Sequence, residues 1–256
     1  MLRVFIETTV QIDRVLGGDE TKATIEARLL NQNVITSTYV LMEFNRTVMD
    51  DFIAIHAAVS AERRLGDALL RLHQSDRRFR PRSLDRCLRI WGLLLNQLEE
   101  EPFSREKLLE ILEICIEQLL PQRFMAGVGQ LLDATDCDLP KDNPHFEEDR
   151  YHLRATCRKE TARCRLPDFL HENHTVLETL QSRLLKSSEP ELQLVGKTIA
   201  AVKDDWQIAR GQKNCWRMGD LIIVLETPQD AAIYTTNHKH FKPLCAAIGK
   251  QLLKED

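Results

Sequence analysis

Three short apolar runs, each stopped by small polar residues, constrain this chain more than any other feature. Residues 231–234 (Ala-Ala-Ile-Tyr) end at Thr235, Thr236 and Asn237; residues 2–6 are almost wholly apolar and end at Glu7, Thr8 and Thr9; Val34 and Ile35 run into Thr36, Ser37 and Thr38. Runs this short, apolar throughout and bounded by turn residues, read as strands buried on both faces, the pattern of a parallel sheet covered by helices. In such sheets the carboxyl ends of the strands face a common crevice where sites are built. The expected fold class is therefore α/β, with a small, mostly parallel sheet flanked by helices, and Glu7, Glu43, Asp220 and Asn237 are the candidates to converge on its pocket.

The local signals around these residues agree. Gly219-Asp220 precedes the apolar run Leu221 to Leu225, and Thr227-Pro228 follows it, so a helix opens at Asp220, whose carboxylate either caps free N–H groups or faces outward. Ser37 or Thr38 caps a helix in which Val40, Phe44, Val48, Phe52 and Ile55 recur every three or four residues, the stripe of a core-facing amphipathic helix. Glu43 lies at the margin of that stripe. Glu7 is in line with a buried strand, where a carboxylate needs water, a hydrogen-bond donor or a metal to offset its desolvation. Taken singly, Glu43 and Asp220 are explained as helix-start acids and Asn237 as the cap of a helix beginning near His238. Together, each at a strand end or a helix start, they point to a site.

An acid and small polar residues closing the first strand, then T-S-x-x-V-x-x-E (36–43), G-D before an apolar helix (219–220) and T-T-N-x-x-x-F (235–241) resemble the PIN domain. The resemblance implies an α/β metal-dependent nuclease, a hydrolase of phosphodiester bonds, RNA ahead of DNA, and similar to bacterial toxin ribonucleases. It implies that Glu7, Glu43 and Asp220 bind Mg²⁺ or Mn²⁺, that Asn237 completes the catalytic set, and that Thr8, Thr235, Thr236 and His240 support it. Toxin-like members commonly work beside an inhibitor or regulatory protein. Two departures are visible: Glu7 stands where the family has aspartate, one carbon shorter, and Asn237 stands where many members carry another acid. These departures favour the rival reading, a catalytically inactive PIN-like module that binds nucleic acid or assembles with protein.

The motifs cover residues 1–50 and 215–245. The chain's 256 residues are divided, on this reading, into a PIN-like core from 1–75 and 204–256 and a helical insertion or subdomain from 76–203. Within the insertion the spacing predicts helices over 83–98, 104–120, 122–132, 150–162, 167–184 and 189–209, broken at Pro81, Pro102 and Pro121, with 133–149 a polar loop. Two basic runs there, including Arg78, Arg80 and Arg82, and Arg154, Arg158 and Lys159, are candidates to track a phosphate backbone. The net charge of −4 means that such contacts must be local. No apolar stretch reaches the roughly 20 residues of a membrane span. The seven cysteines include no Cys-x-x-Cys pair, which favours reduced thiols and a cytoplasmic setting. Cys157, Cys164, His152, His171 and His174 are spaced too loosely for an ordinary structural zinc motif.

Overall fold

The computed structural model describes residues 1–74, 81–96, 104–154, 156–158 and 163–254. Five parallel strands form one sheet: β1 (Arg3–Ile6), β2 (Asn33–Ser37), β3 (Gln130–Leu132), then, after a separate hairpin of β4 (His145–Glu147) and β5 (Arg150–His152), β6 (Ala231–Tyr234) and β7 (Gln251–Leu252). The order is β3-β2-β1-β6-β7. From β1 the chain therefore builds outward to β2 and β3 on one side, then crosses to β6 and β7 on the other. That reversal beside β1 is a topological switch point, where crevices open at strand carboxyl ends.

The unbroken apolar character of the strands has its cause in the two layers. Phe5, Ile35 and Ile233 belong to the large core cluster on one face, whereas Val4, Ile6, Val34 and Tyr234 pack with Val10 and Ile25 on the other. Alternate residues point to opposite faces, and a chain that must bury both cannot alternate with polar residues. Full burial of a side chain such as Phe5 contributes about 1.5–3 kcal/mol.

The stripe on the third helical element is buried as expected: Val40, Phe44, Val48, Phe52 and Ile55 are all in the core. Its helices Thr38–Phe44 and Asp50–Ala61 are continuous through a π-helical turn, Asn45–Met49. The Thr47 hydroxyl bonds the Glu43 carbonyl there at 2.6 Å, taking an acceptor that the helix ladder would otherwise use. A second π turn, Cys115–Leu119, carries the chain from the helix Arg105–Ile114 into Leu120–Met125, so Pro121 does not break this stretch. Pro121 lies in the first turn of the last segment, where a missing N–H is tolerated.

Several central expectations are corrected. Residues 122–132 are not one helix: the helix ends at Met125, and Gln130–Leu132 adds β3 to the main sheet, pairing Ile35 with Gln130 and Ser37 with Leu132. The free edge of β2 supplies hydrogen bonds that no local helical pattern competes with at Gly127 and Gly129. The expected helix over 150–162 begins instead as β5, antiparallel to β4. Its two-residue turn, Glu148-Asp149, has φ of 49° and 61°, the left-handed pair of a type I′ hairpin. The polar stretch 133–149 contains β4 and a short 3-10 turn, Leu139–Lys141. The long helices expected over 167–184 and 189–209 are each divided, into Leu166–Glu172 and His174–Leu184, and into Pro190–Asp204 and Trp206–Ala209. Among the described residues no helix is long and apolar enough to cross a membrane.

Candidate functional site

Strand register levels the polar ends. Ile6 pairs with Tyr234 and Phe5 with Ile35, so one residue further on Glu7 and Thr235 emerge side by side, with Thr36 and Ser37 beyond. The Thr36 hydroxyl donates to the Ile6 carbonyl at 2.9 Å, tying β2 to β1 at this edge.

Glu7 is 2 % exposed and curls back to cap the helix Thr8–Leu16. Its carboxylate accepts the Thr9 N–H at 2.7 Å and the Thr9 hydroxyl, and Thr9 in turn meets the Thr236 hydroxyl at 2.7 Å. The extra carbon of glutamate is used in this cap. Burial pushes the Glu7 carboxyl up to about 7, against the lowering effect of the Thr9 and Thr235 hydrogen bonds, and the Asp220 charge pushes it further.

Glu43 reaches the same place from the helix after β2. The Thr8 hydroxyl donates to it at 2.5 Å, and Arg46, one turn on, stands 4.0 Å away. Burial raises its pKa, Arg46 and Thr8 lower it, and Asp220 raises it again. Tyr39, fully buried, donates to the Cys215 carbonyl at 2.9 Å, which fixes the helix Thr38–Phe44 against Gln212–Arg217. The following helix, Gly219–Glu226, thus starts against Glu43: a Cβ at Gly219 would stand 2.8 Å from Glu43 Oε1.

Asp220 does not cap that helix with its side chain. It accepts from His240 Nδ1 at 2.7 Å and from the Asn237 amide at 3.4 Å. His240 Nε2 also meets Glu191 at 2.6 Å; its hydrogen bond with Asp220 and the two nearby acids raise its pKa against the lowering effect of partial burial, so the imidazolium is favoured. Asn237 precedes the helix His238–Ile248 without a side-chain cap bond; the Thr235 hydroxyl accepts its N–H at 2.9 Å.

All eight core candidates, Glu7, Thr8, Glu43, Asp220, Thr235, Thr236, Asn237 and His240, are thus linked by hydrogen bonds or charge at one end of the sheet. A cleft of about 610 Å³ opens over Glu43, Asp220, Asn237 and His240 and is rimmed by Arg46, Lys213 and Arg217. Arg46 lies 3.7 Å over the Trp216 ring. Glu7 sits behind the cleft and does not line it.

The three basic rim residues were not among the sequence candidates, although their signal was present: Arg46 is one helical turn from Glu43, and Lys213 and Arg217 sit one turn apart just before Gly219-Asp220. Of the basic runs proposed from sequence, Arg78, Arg80 and Lys159 lie outside the described residues. Arg82 belongs to the helix Pro81–Asn96; Arg154 and Arg158 follow β5, and neither of these two lines the cleft. Another acid unforeseen from sequence is Glu226, buried at the end of the helix Gly219–Glu226, where neither carboxylate oxygen completes a hydrogen bond.

The donor set is one of hard oxygens, as Mg²⁺ and Mn²⁺ prefer. Among the described residues, no three His, Cys, Asp or Glu side chains are gathered closely enough to hold an ion as they stand. Each candidate carboxylate is drawn to its own partner, Glu7 to Thr9, Glu43 to Thr8 and Asp220 to His240. No family model, curated protein or solved structure matches the chain.

Proposed function

We propose that this protein is a PIN-like, metal-dependent nuclease that hydrolyses phosphodiester bonds, in RNA ahead of DNA. The observation that carries the reading is the meeting of three carboxylates from distant segments at the switch point of a parallel sheet. Glu7 and Glu43 both have their ionisation opposed in part by Asp220. Like charges held together without a structural counter-ion of equal charge are a common mark of a site that takes a cation.

Glu43 and Asp220 would hold Mg²⁺ or Mn²⁺ from the cleft side and Glu7 from behind, after release from the Thr9 cap. A bound divalent ion supplies hydroxide near neutral pH and offsets charge on the phosphate. Arg46, Lys213 and Arg217, on the rim, bind and orient the nucleic-acid backbone by charge, so affinity falls as salt rises. Trp216, stacked with Arg46, presents an aromatic surface of the kind on which unpaired bases stack. Asn237 orients Asp220, and His240 holds that carboxylate in place until substrate and ion compete for it.

The test is cleavage of single-stranded RNA and DNA by the full chain with Mg²⁺, Mn²⁺ or chelator. Chelator-sensitive cleavage that falls at least a hundredfold in both Asp220→Asn and Glu43→Gln, with circular dichroism unchanged, is the expected result. Wild-type rates in either variant would remove the assignment. The rival, an inactive PIN-like binding or assembly module, is favoured by one observation, the satisfaction of each acid by a protein partner. A folded wild-type chain that binds RNA yet cleaves nothing with any of these metals would establish it instead.

A further inference from the structure

Among the described residues of 133–165 the regular structure is the turn Leu139–Lys141 and the hairpin β4–β5. A segment with so few ladder hydrogen bonds holds its place through some other tie. Three of the chain's seven cysteines lie in it, Cys137, Cys157 and Cys164, and these three and Cys215 are free thiols.

Main-chain bonds join the segments that carry these four. Arg165 N–H donates to the Thr135 carbonyl at 2.6 Å and Asp138 N–H to the Arg163 carbonyl at 3.2 Å. Rising numbers on one side meet falling numbers on the other, so the two segments run antiparallel and Cys164 stands across from Cys137. Asp136, with φ of 42°, is the extra residue of a bulge. Gln212 N–H donates to the Cys157 carbonyl at 3.2 Å, and Gln212 opens the short helix that carries Cys215. Arg210 donates to the Cys164 carbonyl at 3.3 Å, and its Nε is buried without a hydrogen-bond partner.

We propose that Cys137, Cys157, Cys164 and Cys215 are the ligands of a second site, a four-thiolate site for one thiophilic divalent ion of the zinc class. The site is structural and ties residues 133–165 to the helix Gln212–Arg217. It does not rest on the nuclease reading.

The N–H groups of Leu139 and Leu166, each two residues past its cysteine, bond the Cys137 and Cys164 sulfurs, and the Arg210 side chain adds a further donor at Cys164. A repeated N–H to sulfur bond and a guanidinium are suited to sulfur bearing negative charge. A disulfide between Cys137 and Cys164 would remove that charge and leave Cys157 and Cys215 with no role. Zinc–sulfur bonds of about 2.3 Å put tetrahedral sulfurs roughly 3.8 Å apart. No such set is already gathered among the described residues, so the thiols turn inward and release their protons to solvent as the ion binds. The histidines do not contribute: His171 packs edge-on to Trp206, 5.2 Å away, and stacks on His174.

The experiment is titration of the chelator-treated full chain with Co²⁺ under reducing conditions. Intense visible bands of tetrahedral cobalt and a near-ultraviolet thiolate-to-cobalt transition should appear, saturate at one ion per chain and bleach when zinc is added. Cys137→Ser and Cys164→Ser should each weaken binding at least tenfold and diminish the thiolate transition, while Cys245→Ser retains both. Because a ligand variant can fail to fold, thiol alkylation of the wild-type chain is followed by mass spectrometry as well: zinc should protect these four cysteines together. A folded wild-type chain without the thiolate transition overturns the proposal. So does an unchanged spectrum in Cys164→Ser, iron with acid-labile sulfide in the isolated protein, or a metal-free Cys137–Cys164 disulfide.

Discussion

Gly219 is the residue on which the approach of two candidate acids depends. With no Cβ, it lets the helix carrying Asp220 come against Glu43 and the buried Tyr39. An alanine Cβ would stand 2.8 Å from Glu43 Oε1 and 3.3 Å from the Tyr39 hydroxyl. Alanine is the better helix former by about 1 kcal/mol in a helix interior, but overpacking costs about 1–3 kcal/mol, and Gly219 is only the first residue of its helix. The clash wins. Gly219→Ala should lower stability by about 1–2 kcal/mol in urea unfolding and, on the nuclease reading proposed above, reduce cleavage at least tenfold, because the Glu43 carboxylate must move. An unchanged midpoint and rate would show that the contact has no such weight.

The helix Gly219–Glu226 ends on an acid that is badly placed by every electrostatic measure. Glu226 sits at the end where carbonyls already point outward, a position that favours cations. Burial pushes its carboxyl up to about 8, the Ser37 hydroxyl offsets part of the rise, and Asp133 and Glu43 add to it. An acid whose folded pKa lies above its unfolded value near 4.5 keeps its proton longer when folded. Its contribution to stability is therefore fully present below about pH 4.5 and is lost as pH rises toward 8. Glu226→Gln should match the wild type near pH 4 and exceed it near pH 9 by on the order of 2–5 kcal/mol. Urea unfolding at the two pH values checks this, and an equal difference at both would refute the linkage. A second helix end depends on another element altogether. Arg105 Nε donates to the carbonyls of Val59 and Glu62 at 2.9 and 3.0 Å, and Nη2 to that of Ser60 at 2.5 Å. It closes the end of the helix Asp50–Ala61. Charged hydrogen bonds contribute about 1.5–3 kcal/mol, so Arg105→Ala should cost roughly 2–3 kcal/mol, read from urea unfolding; a loss under 0.5 kcal/mol, on the order of a surface substitution, would deny it the role.

In the whole molecule, the strands that carry the site were legible because burial on both faces permits only apolar residues, and a run of them that stops at hydroxyls and carboxylates is visible without any partner. β1, β2 and β6 and the helix Gly219–Glu226 belong to this class. The edge strand β3 was hidden, since three residues exist as a strand only where β2 offers an unpaired edge. The β4–β5 turn was hidden too, because Glu148-Asp149 takes up left-handed backbone without the Asn-Gly signal that usually announces it. Candidate acids could be named from their places at strand ends and helix starts, but their individual partners could not. Linear order carries the pattern of apolar and polar groups, and that pattern was enough for an α/β sheet with Glu7, Glu43 and Asp220 at one end. Distances between groups 36 or 177 residues apart, such as Glu7 to Glu43 and Glu43 to Asp220, follow from packing. Packing likewise set His240 on Asp220 and put Arg46 over Trp216, because each of these contacts depends on elements that meet only after the sheet has formed.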